Sequence, residues 1–141
     1  MMRCIAAAVL IAILGCAACG RRVDSQQLMH GVRRIAITDS LLRHGGSDTL
    51  RTGRLHTGEI AVMRVAVKNE TSAPIAIAGY ETSCSCTLFE YDRKPILPGA
   101  ESELRCTFDS RGEYGWQFKS ARFRIAGAEE PLVIFVEAEV Y

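Results

Sequence analysis

The sequence predicts an all-β fold, an antiparallel β-sandwich of about seven short strands that is Ig-like in size. Three observations support this prediction. Apolar residues alternate with polar ones in several short runs rich in Val, Ile and Phe. Turn-forming residues interrupt these runs about every eight to twelve residues. Beyond residue 31, no segment shows the apolar stripe of a helix longer than three turns.

Seven segments account for the predicted strands: residues 32–39, 60–67, 75–80, 83–91, 103–108, 116–125 and 132–141. Residues 40–59 are rich in Gly, Ser and Thr, and we expect a loop there with one or two short pairings. The most apolar runs, residues 60–67 and 132–136, are predicted to be central strands. Alternation predicts that Leu104, Cys106 and Phe108 point inward.

The first residues form a predicted lipoprotein signal peptide, residues 1–15. The apolar stretch at 4–15 is too short to span a bilayer, which needs about 20 residues. It suits a secretory signal and ends in Ile-Leu-Gly-Cys, which resembles a bacterial lipobox. We therefore expect lipid on Cys16, with Cys19 as the second candidate. A tether over residues 16–31 would join the membrane to the domain at 32–141, placing the chain in a bacterial cell envelope, facing the periplasm or at the cell surface.

Charge and motifs exclude several functional classes. Seventeen basic residues stand against 16 acidic ones, without a long block of either sign, so nucleic acid is not an expected partner. No nucleophile elbow, phosphate-binding loop or zinc-protease motif occurs. We expect a protein that is not an enzyme and that needs no cofactor.

Cys84, Cys86 and Cys106 allow several interpretations. On a strand, Cys84 and Cys86 would share a face about 6.5–7 Å apart, which disfavours a bond between them unless the chain kinks. Cys106 points inward and is the expected partner of one of them. A thiolate site for Cu(I) or Zn(II), a redox role and buried reduced thiols are the alternatives.

The motifs Thr-Ser-Cys-Ser-Cys-Thr at 82–87, Lys-Pro-Ile-Leu-Pro-Gly at 94–99 and the segment 106–123 together resemble the bacterial domain-of-unknown-function 1573 family. The likeness covers about residues 48–140 and implies an Ig-like β-sandwich, often on lipoproteins, with no known activity. The chain departs from the family pattern at Ser85, usually Gly, and at Cys106, usually aliphatic. The Asn that commonly ends the strand containing Lys119 is also absent.

Tyr114 and Trp116 mark a possible recognition loop, because loops at the ends of sandwiches often carry binding residues. The alternative for Trp116 is a core position at the start of a strand. The function expected from the sequence is a non-catalytic binding or structural module on a cell-envelope lipoprotein. Its partners would be the membrane, through the lipid, and a protein or a glycan. The alternative is a metal-binding or redox module that uses Cys84, Cys86 and Cys106.

Overall fold

The computed structural model describes residues 29–141, with side chains from Val32 onward. The predicted signal peptide and the two candidate lipidation sites, Cys16 and Cys19, lie outside the described residues. The first described strand begins at Met29, three residues before the predicted domain boundary at 32. Within the described part, no helix combines the length and the apolar character needed to cross a bilayer.

The described residues form eight strands and one short helix: β1 Met29–Ile37, α1 Asp39–His44, β2 Gly46–Leu55, β3 Ile60–Asn69, β4 Ile77–Thr82, β5 Thr87–Tyr91, β6 Glu101–Asp109, β7 Gly115–Ile125 and β8 Leu132–Val140. The strands form two four-stranded sheets, in the orders β1-β3-β6-β5 and β2-β8-β7-β4. Among the described residues the chain passes between the sheets five times, through α1 and through residues 56–59, 70–76, 83–86 and 110–114. The predicted β-sandwich is confirmed, and β3 and β8 are interior strands as expected.

The number and direction of the strands differ from the prediction. There are eight strands among the described residues, because the segment expected to be a loop contains the ten-residue strand β2. The pairs β1–β3 and β2–β8 are parallel, so the sheets are mixed and not purely antiparallel. Parallel neighbours need a long crossover. Sequence alternation identifies a strand without identifying its neighbour, so it could not reveal these pairings.

Helix α1 also corrects the prediction of a loop after residue 40. Thr38 caps its start, where the side-chain oxygen accepts a hydrogen bond from the backbone N–H of Leu41. Gly45 ends it with a φ of 72°, and its N–H donates to the carbonyl of Leu41. A helix of six residues is too short to show a periodic apolar stripe, although both capping signals stand in the sequence.

The core lies between the two sheets and is almost entirely aliphatic and aromatic. Among the described residues, the fully buried side-chain amide belongs to Asn69, at the end of β3. The Asn69 amide nitrogen donates to the carbonyls of Ala73 and Ile96, at 2.8 Å each. Its oxygen accepts from the N–H and the hydroxyl of Thr71. These four bonds fix the turn between β3 and β4 and join it to the segment before β6.

Candidate functional site

The two neighbouring cysteines lie in the turn by which the chain leaves one sheet for the other. β4 ends at Thr82 and β5 begins at Thr87, so neither Cys84 nor Cys86 is part of a strand. The N–H of Thr87 donates to the carbonyl of Cys84, closing a tight turn. The Thr82 hydroxyl donates to the same carbonyl. The turn brings the two Cα atoms to 5.1 Å and the sulfurs into a disulfide bond.

This Cys84–Cys86 bridge contradicts the expectation that Cys106 would pair with one of them. The expectation assumed a straight strand, in which the two Cα atoms would be too far apart for a bond. The kink that a direct bond requires is supplied by the crossing between the sheets. The pairing of Cys84 with Cys86 therefore depends on the turn between β4 and β5, and strand geometry does not predict it.

Cys106 is a core residue and takes no part in the site. It has 0% exposure in the centre of β6, where it pairs with Met63 of β3 and Phe89 of β5. Phe89 is three residues beyond Cys86, a separation of about 10 Å along a strand. Burial raises the pKa of the Cys106 thiol to about 12, so the thiol stays neutral and unreactive. The inward direction predicted for Cys106 is confirmed, but the expected bond from Cys106 to Cys84 or Cys86 is wrong.

A carboxylate approaches the disulfide from the loop that precedes β7. Oε1 of Glu113 lies 3.8 Å from Sγ of Cys84. Oε2 of the same carboxylate accepts a bond of 3.1 Å from Nζ of Lys119, on β7. Both side chains of this ion pair are about four-fifths buried. The pair is therefore held in place more firmly than an ion pair in open solvent, and one carboxylate oxygen remains directed at sulfur.

Each sulfur also has a hydrogen-bond donor close by. The backbone N–H of Cys86 donates to Sγ of Cys84 at 3.1 Å. The Thr87 hydroxyl lies 3.7 Å from Sγ of Cys86 and can donate to it. Donors directed at sulfur stabilise the thiolate form after reduction. Because Cys84 and Cys86 are only half-buried and Ser85 between them is exposed, a small reductant can reach the bond.

A second surface lies on the outer face of β7. Trp116 is 65% exposed, Phe118 55% exposed and Tyr114, in the preceding turn, 81% exposed. The ring of Phe118 stacks on that of Phe135 of β8, with centroids 4.8 Å apart. Together Tyr114, Trp116, Phe118 and Phe135 form what we call the aromatic surface. The interpretation of Trp116 as a core residue is wrong.

The strand parity explains why Trp116 points outward. Ala121, Phe123 and Ile125 face the core, and β7 continues without a break in its pairing with β8. Side chains alternate between faces, so every even-numbered residue of β7 points away from the core. Phe118 follows the same rule.

The edge of β7 beside the aromatic surface has no strand partner among the described residues. β4 pairs with β7 only as far as Thr82 and Ala121. Two further bonds join Ser83 to Ser120: the N–H of Ser83 donates to the carbonyl of Ser120, and the N–H of Ser120 donates to the Ser83 hydroxyl. Backbone groups alternate between the two neighbours of a strand, so those of Phe118 and Trp116 face the same side as those of Ser120. Beyond Ser83 the chain turns away toward β5, so no described strand lies beside the edge at Trp116 and Phe118.

The profile of the family described as "Protein of unknown function (DUF1573)" matches residues 45–140. The chain belongs to the DUF1573 family. The suspected resemblance is thereby confirmed, and the matched range includes the cysteine turn, Glu113, Lys119 and the aromatic surface. No curated protein matches the chain significantly.

Solved structures similar to this DUF1573 domain share its fold. A protein of unknown function from Porphyromonas gingivalis W83 is 21% identical, with a TM-score of 0.59 over 66% of this chain and 44% of that chain. The VesB protease of Vibrio cholerae is 11% identical, with a TM-score of 0.54 over 66% and 30% of the two chains. The secreted serine protease VesC of Vibrio cholerae is 8% identical, with a TM-score of 0.51 over 64% and 21%. This chain covers less than half of each of these proteins, and identities this low show the fold alone.

Two residues of the site in this DUF1573 domain were missed by sequence reasoning. Neither Glu113, in the turn before β7, nor Lys119, on β7, is among the site residues predicted from the sequence. A parity count back from Phe123 would have placed Lys119 on the inner face. Nothing in the sequence links Glu113 with Cys84, because their proximity comes from the crossing of the chain between sheets.

Proposed function

We propose that this chain is a lipid-anchored, non-catalytic module of a bacterial cell envelope that binds an extended segment of a partner protein along β7. The observation that carries the proposal is the exposure of Trp116 and Phe118 beside an unpaired strand edge. Exposed aromatic side chains supply large contact areas at low entropic cost and are typical of binding surfaces.

The strand edge favours a polypeptide over a glycan as partner. A partner strand can satisfy the alternating N–H and C=O groups of Trp116 and Phe118, as in β-strand addition. Natural sheets usually protect such edges with charge, proline or a covering loop. Here Trp116 and Phe118 stand next to the edge and can pack against the side chains of an added strand.

The anchor is supported by the sequence before the domain. The apolar stretch at residues 4–15 and the lipobox-like motif ending in Cys16 are typical of a bacterial lipoprotein. Stable attachment needs more than one acyl chain, which a lipoprotein modification supplies. The residues between Cys16 and Met29 would separate the domain from the bilayer surface.

The binding proposal can be tested by site-specific photo-crosslinking in bacterial cells. A photoreactive amino acid at position 118 of the full chain is expected to give a discrete protein adduct that Trp116→Ala removes. The same probe at Glu90, an exposed position on β5 of the other sheet, is the matched control and is expected to give none. Equal adducts from both positions, or none from 118, would overturn the proposal.

The role of the edge can be separated from that of the aromatic rings. With the probe moved to position 116, Phe118→Thr removes only a ring, whereas Phe118→Pro also removes an N–H directed at the edge. We expect Phe118→Thr to weaken the adduct and Phe118→Pro to abolish it. Equal effects of the two variants, at matched melting temperatures, would exclude strand addition.

The anchor is tested by membrane fractionation and mass spectrometry of the N-terminal peptide. Cys16→Ala is expected to lose acylation and to leave the membrane fraction, whereas Cys19→Ala keeps both. Acylation that persists in Cys16→Ala and disappears in Cys19→Ala would show that Cys19 is the lipidated residue.

A further inference from the structure

We propose that Cys84, Cys86 and Glu113 form a redox-gated zinc site, closed while the disulfide is intact and able to bind one Zn(II) when the disulfide is reduced. This site lies at the end of the sandwich and does not depend on the proposed binding along β7. Its three donor atoms already lie within 4.8 Å of one another. Two thiolates and a carboxylate, with a water in the fourth position, are a ligand set that zinc accepts.

The distances fit a tetrahedral zinc ion after one bond is broken. Zn–S and Zn–O bonds of about 2.3 and 2.1 Å place sulfur and oxygen ligands about 3.6 Å apart, and two sulfurs about 3.8 Å apart. The Cys84 sulfur and Glu113 Oε1 stand at 3.8 Å. The two sulfurs must separate, and the Cys86 sulfur, already within 4.8 Å of the carboxylate oxygen, must lie about 3.6 Å from it. The Cα atoms, at 5.1 Å, allow this by side-chain rotation alone.

Lys119 acts as a positioning residue for Glu113. Its ammonium binds Oε2 and leaves Oε1 directed at sulfur. The charges also balance, because two thiolates and one carboxylate carry −3, Lys119 carries +1 and Zn(II) supplies +2. Cu(I) would leave the half-buried cluster negative, and the carboxylate oxygen is a harder ligand than Cu(I) prefers. Both the charge and the donor set therefore select zinc.

The gating step is a thiol–disulfide exchange with a dithiol reductant. One thiolate of the reductant attacks a sulfur of the bridge and forms a mixed disulfide, releasing the other cysteine. The second thiol of the reductant then displaces the remaining cysteine and closes its own disulfide. Two electrons and two protons pass from the reductant to Cys84 and Cys86. Zinc binding then displaces both protons as the two thiolates coordinate.

The test uses the full chain in detergent, with Cys4, Cys16 and Cys19 replaced by Ala so that Cys84, Cys86 and Cys106 are the remaining thiols. Zinc stoichiometry and affinity are measured by competition with a chromophoric chelator, before and after reduction by a phosphine. We expect one zinc per reduced chain and none per oxidised chain. Cobalt in place of zinc is expected to give thiolate charge-transfer bands.

Variants separate this site from adventitious binding. Cys84→Ser is expected to abolish stoichiometric binding. Glu113→Gln removes a ligand and is expected to weaken binding by more than the roughly ten-fold that loss of a ligand-supporting group costs other zinc sites. Cys106→Ala and Glu90→Gln, the matched controls, are expected to leave it unchanged. The proposal is overturned by a reduced chain that takes up no zinc, by binding that Glu113→Gln does not weaken, by dependence on Cys106, or by uptake of Cu(I) with none of zinc. Crosslinking from position 118 is a separate readout, so failure of one proposal leaves the other standing.

Discussion

Reduction of the Cys84–Cys86 disulfide is expected to cost the fold about half the unfolding free energy that reduction of a bridge to Cys106 would cost. In the chain-entropy treatment, a closed loop of three residues stabilises the folded state by about 1.6 kcal/mol, whereas a bridge to Cys106, closing a loop of about 20 residues, would give about 3.3 kcal/mol. The cysteines stand two positions apart, so the smaller value applies. For a domain of about 110 residues this corresponds to a fall in melting temperature of roughly 5–10 °C.

The assay is urea unfolding of the chain with and without a phosphine reductant. Wild type is expected to lose about 1.6 kcal/mol of unfolding free energy on reduction. The Cys84→Ser/Cys86→Ser double variant is the matched control and is expected to lose nothing further. In Cys106→Ala the effect of the reductant must persist, because that thiol is free. A loss near 3.3 kcal/mol that Cys106→Ala removes would refute the pairing and the argument from it.

Three further predictions concern the core and the surface. Asn69→Ala is expected to lower the free energy of unfolding by about 2–4 kcal/mol, because it leaves the buried N–H of Thr71 without its partner. Urea unfolding measures this change, and a loss below about 1 kcal/mol would show that the four bonds of Asn69 are dispensable. The Cys106 thiol is expected to resist alkylation until the chain unfolds. Its pKa rises from 9.0 to about 12 on burial, so between these values the thiol ionises only when the chain unfolds. The stability that it contributes is therefore complete below pH 9 and is lost as the pH rises toward 12. Urea unfolding at increasing pH should show a shallower fall of the unfolding free energy in Cys106→Ala than in wild type. Phe118→Ser is expected to change the melting temperature by less than about 2 °C, because the ring is largely exposed; a larger fall would mean that it supports the fold.

The sequence was sufficient for the local features of the fold. Alternation correctly oriented Leu104, Cys106 and Phe108, since each strand has one face against the core. The run of apolar residues at 60–67 correctly indicated an interior strand. Such features depend only on neighbours along the chain, so a single sequence contains the information.

Features set by long-range contacts were not accessible in this way. The parallel pairing of β2 with β8 joins residues more than 80 positions apart, and no local pattern encodes it. The proximity of Glu113 to Cys84 has the same origin. Trp116 is a different case, because its outward direction follows from the parity of β7 once Phe123 is known to face the core. A core position for Trp116 would need a change of parity within one continuous strand.

The segment from Glu113 to Lys119 belongs to both proposed sites, and Lys119→Met can show whether they are independent. Glu113 and Lys119 face the cysteine turn, while Trp116 and Phe118 between them face outward. Lys119→Met keeps the aliphatic stem and removes the charge that orients Glu113. We expect about a ten-fold weaker zinc affinity in the reduced chain and an unchanged crosslink from position 118. Loss of both the zinc affinity and the crosslink would mean that the ion pair supports the structure at the start of β7. An unchanged zinc affinity together with an unchanged crosslink would contradict the positioning role of Lys119.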